Sequence, residues 1–452
     1  MSYPATAFAV KDTYKYLEGL GNYHSSEAFP GANAKVNNSP QKPPYGLKTE
    51  RLSGTSFTAP RESNLQTWMY RATPSMFHAE YMPYGNGETP AAPTYLSPNS
   101  YMWPKFPSEP KADWISQRLL AQNGNPATKE GLAIHLYSVS ESMPEHTAFS
   151  SMDGDSLIIP QIGTLDIQTE LGKLLVRQNE IAVIPRGMRY RVTLPDGPAH
   201  GFICELFQSH FQLPNLGVIG STGLANPREF EIPVAYFDGK LSDDGKVAVA
   251  NDAEYRLITR QAGRLWSCTQ ASTPFDVAAW HGTNYPYKFD LAKFCVMGNM
   301  LFDEHDPSMY VVLTAPAYSE PGNAIVEFLI IPPRWMVSEN TLWLPYYHRN
   351  TMNEFYGPIV NAQEPTHPLN QGKEKGSRPF GAGLNGTMVV HGATEAELEK
   401  ASNAPSTPSK AMNDGMSLFL LETEKPLFVS DWAAEAAIKN MNGKNKPANS
   451  KL

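Results

Sequence analysis

The run Leu132-Ala-Ile-His-Leu-Tyr-Ser-Val139, Asp155-Ser-Leu-Ile-Ile-Pro160, Thr164-Leu-Asp-Ile-Gln-Thr169, Gly172-Lys-Leu-Leu-Val176, Glu180-Ile-Ala-Val-Ile-Pro185 and Tyr190-Arg-Val-Thr-Leu194 decides the fold. Each segment is short, β-branched or alternating, and bounded by Gly, Pro, Asn or Asp. Segments of this kind at close intervals spell an antiparallel β-sandwich or barrel. Composition agrees: 39 prolines, 33 glycines, 21 tyrosines and 20 phenylalanines in 452 residues favour strands and long loops over helical bundles. That length accommodates two or three domains, and two is the expectation for β-rich ones.

Outward from this run the signal weakens. Residues 1–130 read as short strands joined by long Pro-, Asn- and Ser-rich loops. Between about 214 and 280 the expectation is loops with one or two helices, one of them in Pro227-Arg-Glu-Phe-Glu231. A second strand-rich region starts near 281, with Phe294-Cys-Val-Met297, Met309-Tyr-Val-Val-Leu-Thr314, Ala324-Ile-Val-Glu-Phe-Leu-Ile-Ile331 and Thr387-Met-Val-Val390. Residues 361–386 look like a flexible loop, and Glu395–Ser402 like a short helix with acids toward its start and Lys400 near its end.

Two local resemblances sharpen the fold class. Asn179 to Tyr190, with its Pro185-Arg186-Gly187 turn, resembles the second cupin motif, in which such a turn precedes a metal-binding histidine. Here Tyr190 falls where that histidine would stand, and no His-x-His lies upstream. The chain therefore reads as mainly β: two β-sandwich or jelly-roll modules of cupin type with long loops and few short helices. Residues 1–280 form a metal-free N-terminal module, 281–435 a C-terminal module carrying the metal, and 436–452 a disordered tail.

The metal reading rests on Pro345-Tyr-Tyr-His-Arg-Asn-Thr-Met-Asn-Glu-Phe355 and the later Val390-His391-Gly392. Two imidazoles and a carboxylate are the ligand set that non-haem Fe(II) oxygenases place on one face of the metal. In a helix, His348 and Glu354 would be about 600° apart and would not align. Along an extended strand their even spacing puts both on one face. Chance sets of this kind are common with 11 histidines and 45 acids. The aromatic and apolar neighbours predict burial, and a buried carboxylate needs a partner. Arg349 would serve as well as a metal.

Other features bound the function. The net charge of −8 without long basic runs argues against a nucleic-acid surface. No apolar stretch approaches the roughly 18 residues of a membrane helix, and the N-terminus lacks a secretion pattern. Cys204, Cys268 and Cys295 are scattered and read as reduced thiols. Ser450-Lys451-Leu452 reads as a peroxisomal address, with the cytoplasm as the alternative. His135 and His210, among strand residues, read as structural, and phosphate loops and nucleophile elbows are missing.

Nearly end to end the chain is similar to the homogentisate 1,2-dioxygenase family. The likeness runs through Tyr14-Lys-Tyr-Leu-Glu-Gly-Leu-Gly-Asn22, Ser53-Gly-Thr-Ser-Phe-Thr-Ala-Pro-Arg61, Asp153-Gly-Asp155, Gly220-Ser-Thr-Gly-Leu-Ala-Asn-Pro-Arg228, Trp280-His281-Gly282, Pro332-Pro-Arg-Trp335 and Tyr346-Tyr-His-Arg-Asn350. It implies Fe(II) held by His348, Glu354 and His391. It implies a small aromatic substrate and O2, opening of homogentisate to maleylacetoacetate in tyrosine and phenylalanine catabolism, and homo-oligomers built as trimers or hexamers. Tyr347 and His281 become candidate substrate contacts, although a satisfied core histidine explains His281 equally well.

The chain departs from the family in the substrate shell. A pocket histidine that serves as base directly follows Phe-Asp in the family, whereas Phe302-Asp303-Glu304-His305 places it one residue later. In extended backbone that slip would turn His305 away and Glu304 inward. Gln363 replaces a substrate-contacting tyrosine and Asn385 a second histidine. Three readings follow: a homogentisate dioxygenase with a drifted shell, a paralogue opening gentisate or another substituted hydroquinone, or a non-catalytic member.

Overall fold

The computed structural model describes residues 10–85, 91–107, 109–215, 225–294, 310–332, 347–361, 381–404 and 416–437, with isolated positions at 296, 334, 335, 342, 411 and 412. Cys295, Glu304, His305, Gln363 and the terminal Ser450-Lys451-Leu452 lie outside the described residues. Strands dominate, and among the described residues the α-helices are Glu395–Ser402 and Asp431–Ala436. The first begins where expected, because Thr394 and Glu397 form a reciprocal capping box.

The deciding run folds as read. Glu130–Val139, Asp155–Ile162, Glu180–Ile184 and Ala199–Leu206 enter one nine-stranded sheet, while Thr147–Ser151, Leu165–Thr169, Gly172–Val176 and Tyr190–Thr193 enter a seven-stranded one. Inward alternation fills the space between with Leu157, Ile159, Leu165, Ile167, Leu174 and Phe202, all fully buried. Each such side chain contributes roughly 1.5–3 kcal/mol on burial. The Pro185-Arg186-Gly187 turn closes through the Met188 amide to the Pro185 carbonyl, with Gly187 at φ 79°. Tyr190 then enters the core, its hydroxyl accepting from Trp114 Nε1 at 3.1 Å.

Residues 225–282 differ from expectation. Only Pro227–Glu229 coils, as a single 3-10 turn; the expected loops are there, but between them run strands, including Phe230–Pro233, Tyr255–Gln261, Arg264–Gln270 and Val277–Gly282. The missed hairpin turns at Ala262-Gly263, both at positive φ, and Asp153 accepts both of their amides at 2.6 and 2.8 Å. A distant carboxylate thus fixes a turn whose own residues signal it weakly. The expected boundary at 280 falls inside the strand Val277–Gly282, and Tyr287–Asp290 still pairs with Glu180–Ile184.

The C-terminal module is a six-stranded sheet in the order Tyr310–Pro316, Ala324–Ile331, Met416–Thr423, Asn353–Asn361, Ala382–Asn385, Tyr101–Trp103. Two expectations fail here. Thr387–Val390 is not a strand: Asn353 Oδ1 accepts the Thr387 amide, Met388 sits at φ 60°, and its amide donates to the Asn350 carbonyl, so the segment is tied as a turn. The residues just before it, Ala382–Asn385, were expected in the loop and instead pair with Asn353–Asn361.

The modules interlock. Phe355, fully buried, meets Phe202 of the first module at 5.1 Å between ring centres and Phe419 at 5.9 Å. Gln161 Nε2 donates to the Pro358 and Gly381 carbonyls at 2.7 and 3.1 Å, and Gln178 Nε2 to that of Ile359 at 3.0 Å. Phe428–Val429 pairs with Arg118–Asn125 at the edge of the nine-stranded sheet, while Tyr101–Trp103 closes the C-terminal one.

Candidate metal centre

Three short backbone devices bring the ligand set together. His348 and His391 face each other in an isolated antiparallel bridge, each amide donating to the other's carbonyl at 3.1 Å. The imidazoles consequently lie side by side, 4.2 Å between centres and inclined at 63°. After His348 the chain bends, with the Met352 amide donating to Asn350 Oδ1, and becomes a strand only at Asn353. His348 and Glu354 therefore do not share one continuous strand as expected. The bend, and not side-chain alternation, aims both at the same point.

Glu354 is 5% exposed. Its Oε1 lies 3.4 Å from His348 Nε2 and its Oε2 lies 2.7 Å from His391 Nε2. The three donor atoms all fall within 4.8 Å of one another. Donors bound at 2.0–2.2 Å in neighbouring positions of one ion sit about 3 Å apart, so the spacing suits a single small cation. Arg349, the alternative partner, is exposed and makes no described contact with Glu354. The carboxylate instead receives Asn350 Nδ2 at 2.9 Å and Asn385 Nδ2 at 3.5 Å.

One atom tests the fit to a metal. His391 Nδ1 lies 2.8 Å from the Val389 carbonyl, so it carries the proton and leaves Nε2 with a lone pair. That Nε2 is buried, and its close neighbour is Glu354 Oε2 at 2.7 Å. A lone pair and a carboxylate oxygen this close need a positive charge between them, either a proton on Nε2 or a metal cation that both atoms bind. Two imidazole nitrogens and one carboxylate oxygen on one side match a three-ligand metal set with open positions.

The electrostatics agree. Burial pushes the Glu354 carboxyl up, but His391, Asn350 and the neighbouring imidazoles outweigh it and hold it below the usual carboxylate range. Burial works against a charged His391, yet the Glu354 carboxylate and the Val389 carbonyl raise it above an ordinary imidazole. A metal must therefore displace a proton from His391.

The remaining predicted residues divide. Asn385 stands directly across from Glu354 in the sheet and touches its carboxylate. Tyr347 is exposed, its ring over Gly392, where an added Cβ would come within 2.6 Å of Cδ1. His281 is not brought to the ligands. It lies on a four-stranded sheet of the first module, with Nε2 2.9 Å from the Tyr70 hydroxyl and Nδ1 against that of Tyr23. The core-histidine reading holds for it, as for His135, which contacts Glu205, and His210, which contacts Asp155. Reasoning from sequence missed Asn350 and Glu422. The first lay inside the quoted motif; the second has no local signal and appears only through strand register.

Known proteins resemble the chain along most of its length. The homogentisate 1,2-dioxygenase N-terminal family model matches residues 15–291 and its C-terminal counterpart residues 292–448. Homogentisate 1,2-dioxygenase of Emericella nidulans is 47% identical, covering 96% of this chain and 94% of its own. That of Drosophila melanogaster is 42% identical over 94% of each chain, and that of Oryza sativa 41% identical over 95% of this chain and 90% of its own. The likeness extends across both modules and the bridge, bend and strand that hold the three ligands, and this chain belongs to the homogentisate 1,2-dioxygenase family, an enzyme family of dioxygenases.

Proposed function

We propose that the chain opens the ring of homogentisate with O2, using one ferrous ion held by His348, Glu354 and His391. The observation that carries this reading is the convergence of the His348, Glu354 and His391 donor atoms within 4.8 Å of one another, in a chain so widely matched to relatives of that name. Those relatives favour homogentisate over gentisate as substrate. When bound there, Fe(II) supplies a site where an oxidisable dihydroxy ring and O2 exchange electrons. The chain's own residues do the rest. The His348–His391 bridge fixes the spacing of two imidazole donors, and the Val389 carbonyl holds the Nδ1 proton of one. Asn350 and Asn385 orient the carboxylate. The exposed Tyr347 marks the open side from which a small aromatic acid would arrive. Glu304, His305 and Gln363 complete the proposal as residues handling the ring hydroxyls, and a trimer-based homo-oligomer as its assembly.

The test is anaerobic Fe(II) loading followed by oxygen uptake with homogentisate, gentisate and other dihydroxyaryl acids. Uptake with homogentisate far above the others supports the proposal. Loaded protein that consumes no oxygen with it, or prefers gentisate, refutes it. Sedimentation velocity checks the assembly.

A further inference from the structure

Behind the ligand carboxylate runs a row of polar side chains that the family assignment leaves unused. Register places Thr314, Glu327, Glu422, Glu354 and Asn385 directly opposite one another across five adjacent strands. Residues opposite in antiparallel strands point to the same face, so three carboxylates stand in line on the face that carries the metal centre. The neighbours on the other face, Leu313, Phe328, Leu421, Phe355 and Leu384, are buried in the apolar core. Like charges directly opposite destabilise a sheet, and something must hold this line in place.

Between Glu422 and Glu354 that something is the Asn350 carboxamide. Its Nδ2 donates to Glu354 Oε1 at 2.9 Å and to Glu422 Oε1 at 3.3 Å, while its Oδ1 accepts the Met352 amide at 2.9 Å. Only one orientation of the amide satisfies all three, because a flipped group would turn its oxygen toward two carboxylates. The same residue's carbonyl accepts the Met388 amide at 2.8 Å and so ties down the turn that leads to His391. Asn350 thus touches both ligand-bearing segments.

We propose that Glu422 is a positioning residue of the metal centre: it anchors the Asn350 amide, which in turn fixes the Glu354 carboxylate toward the metal. The inference rests on the metal reading above. Without Glu422 the amide loses one of its two charged acceptors and is free to swing, and Glu354 Oε1 loses a steady donor. Charged acceptors make hydrogen bonds roughly twice as strong as neutral ones, so a neutral replacement holds the amide less well.

The test uses Co(II) as a probe in the full-length chain, reading its dissociation constant and its visible absorption band alongside Fe(II)-supported oxygen uptake. Removal of an outer partner of a metal ligand typically costs 10–100-fold in affinity. Glu422→Leu is expected to weaken Co(II) by roughly that factor and to shift the band. Glu422→Gln, close in shape, recovers part of the loss and keeps the question answerable where the leucine variant does not fold. Asn350→Ser loses at least as much as the leucine variant, because it also removes the direct donor to Glu354, and the double variant is no worse than Asn350→Ser alone, as expected of residues acting in series. Wild-type affinity and band in Glu422→Leu or, where that variant does not fold, in Glu422→Gln, or additive losses in the double variant, would overturn the proposal. So would variants that melt earlier after chelation yet bind Co(II) normally in the folded fraction, since that is a structural role alone. A wild-type chain that takes up no metal refutes the metal reading itself, a different outcome from a wild type that binds and a variant that binds equally well.

Discussion

Glu205 in the first module and Glu354 in the second occupy similar surroundings and come to opposite ends. Each is buried in a β-sheet with an imidazole beside it: His135 Nε2 at 3.1 Å from Glu205, His391 Nε2 at 2.7 Å from Glu354. In the first module the Arg260 guanidinium closes the group, 3.1 Å from Glu205 Oε2 and 2.7 Å from Gln117 Oε1. Burial and that fixed cation push His135 down, and despite its own burial Glu205 is held at about 2. In the second module the described partners of Glu354 are imidazoles and amides. A buried carboxylate closed by a guanidinium is a finished structural unit, whereas one met only by titratable imidazoles and neutral amides lacks a fixed positive charge and suits an external cation. The same contrast explains Asp155 with Arg186, and Arg71 among Glu50, Glu170 and Asp276.

The sharpest way to break this contrast is to neutralise each carboxylate's setting in turn. Glu354→Gln keeps the shape and removes the charge; metal content should fall to trace levels and oxygen uptake by more than about 100-fold, beyond the range of outer-shell losses. Elemental analysis beside the oxygen electrode measures both, and full iron occupancy in that variant would contradict the contrast. Next in size, Arg260→Met strands Glu205 and should cost about 3–5 kcal/mol of stability, seen as a lower denaturant midpoint, with uptake per folded molecule unchanged. A loss of activity without a loss of stability would mean that the first module takes part in catalysis.

A smaller effect separates the two by pH. In chelated protein the His391–Glu354 pair stabilises the fold above the unfolded carboxyl value and below the unfolded imidazole value. Its contribution is lost as pH rises through the raised His391 value and as pH falls through the depressed Glu354 one. Metal affinity should weaken steadily from about pH 8 to pH 6 because a proton holds His391 Nε2. Calorimetry in buffers of different ionisation heat reads the proton released, and no release at pH 6 would count against the arrangement. Smallest of all, Tyr190→His restores the motif histidine near Glu205 and Arg260, yet metal should stay at one ion per chain because the guanidinium already holds that carboxylate.

Much of this was legible in the residues, unevenly. Strands bounded by Gly, Pro and Asp were plain between Leu132 and Thr193, where alternation and turn chemistry agree. The hairpin at Ala262-Gly263 was not, since the group that stabilises its turn is Asp153, far away in sequence. That His348, Glu354 and His391 form a candidate ligand set was readable from type and family likeness, and they do converge, but the strand argument for their alignment was wrong. A side chain–backbone bond at Asn350 bends the chain and spends the pattern before it can alternate. Arg349 looked like a partner for Glu354 by proximity alone, and the same bend turns it to solvent. Glu422 was invisible, because only pairing across strands gives it a role.

The exchanged edge strands also bear on how the protein is made. The outermost strand of the first module's large sheet, Phe428–Val429, is synthesised after the described strands of the second module, whereas the strand that finishes the second module's sheet, Tyr101–Trp103, is synthesised before them. The first module's sheet must therefore keep a bare margin until the strands of the second module have also been made. Proteolysis or premature termination anywhere between the two would leave two unfinished sheets in place of one intact half.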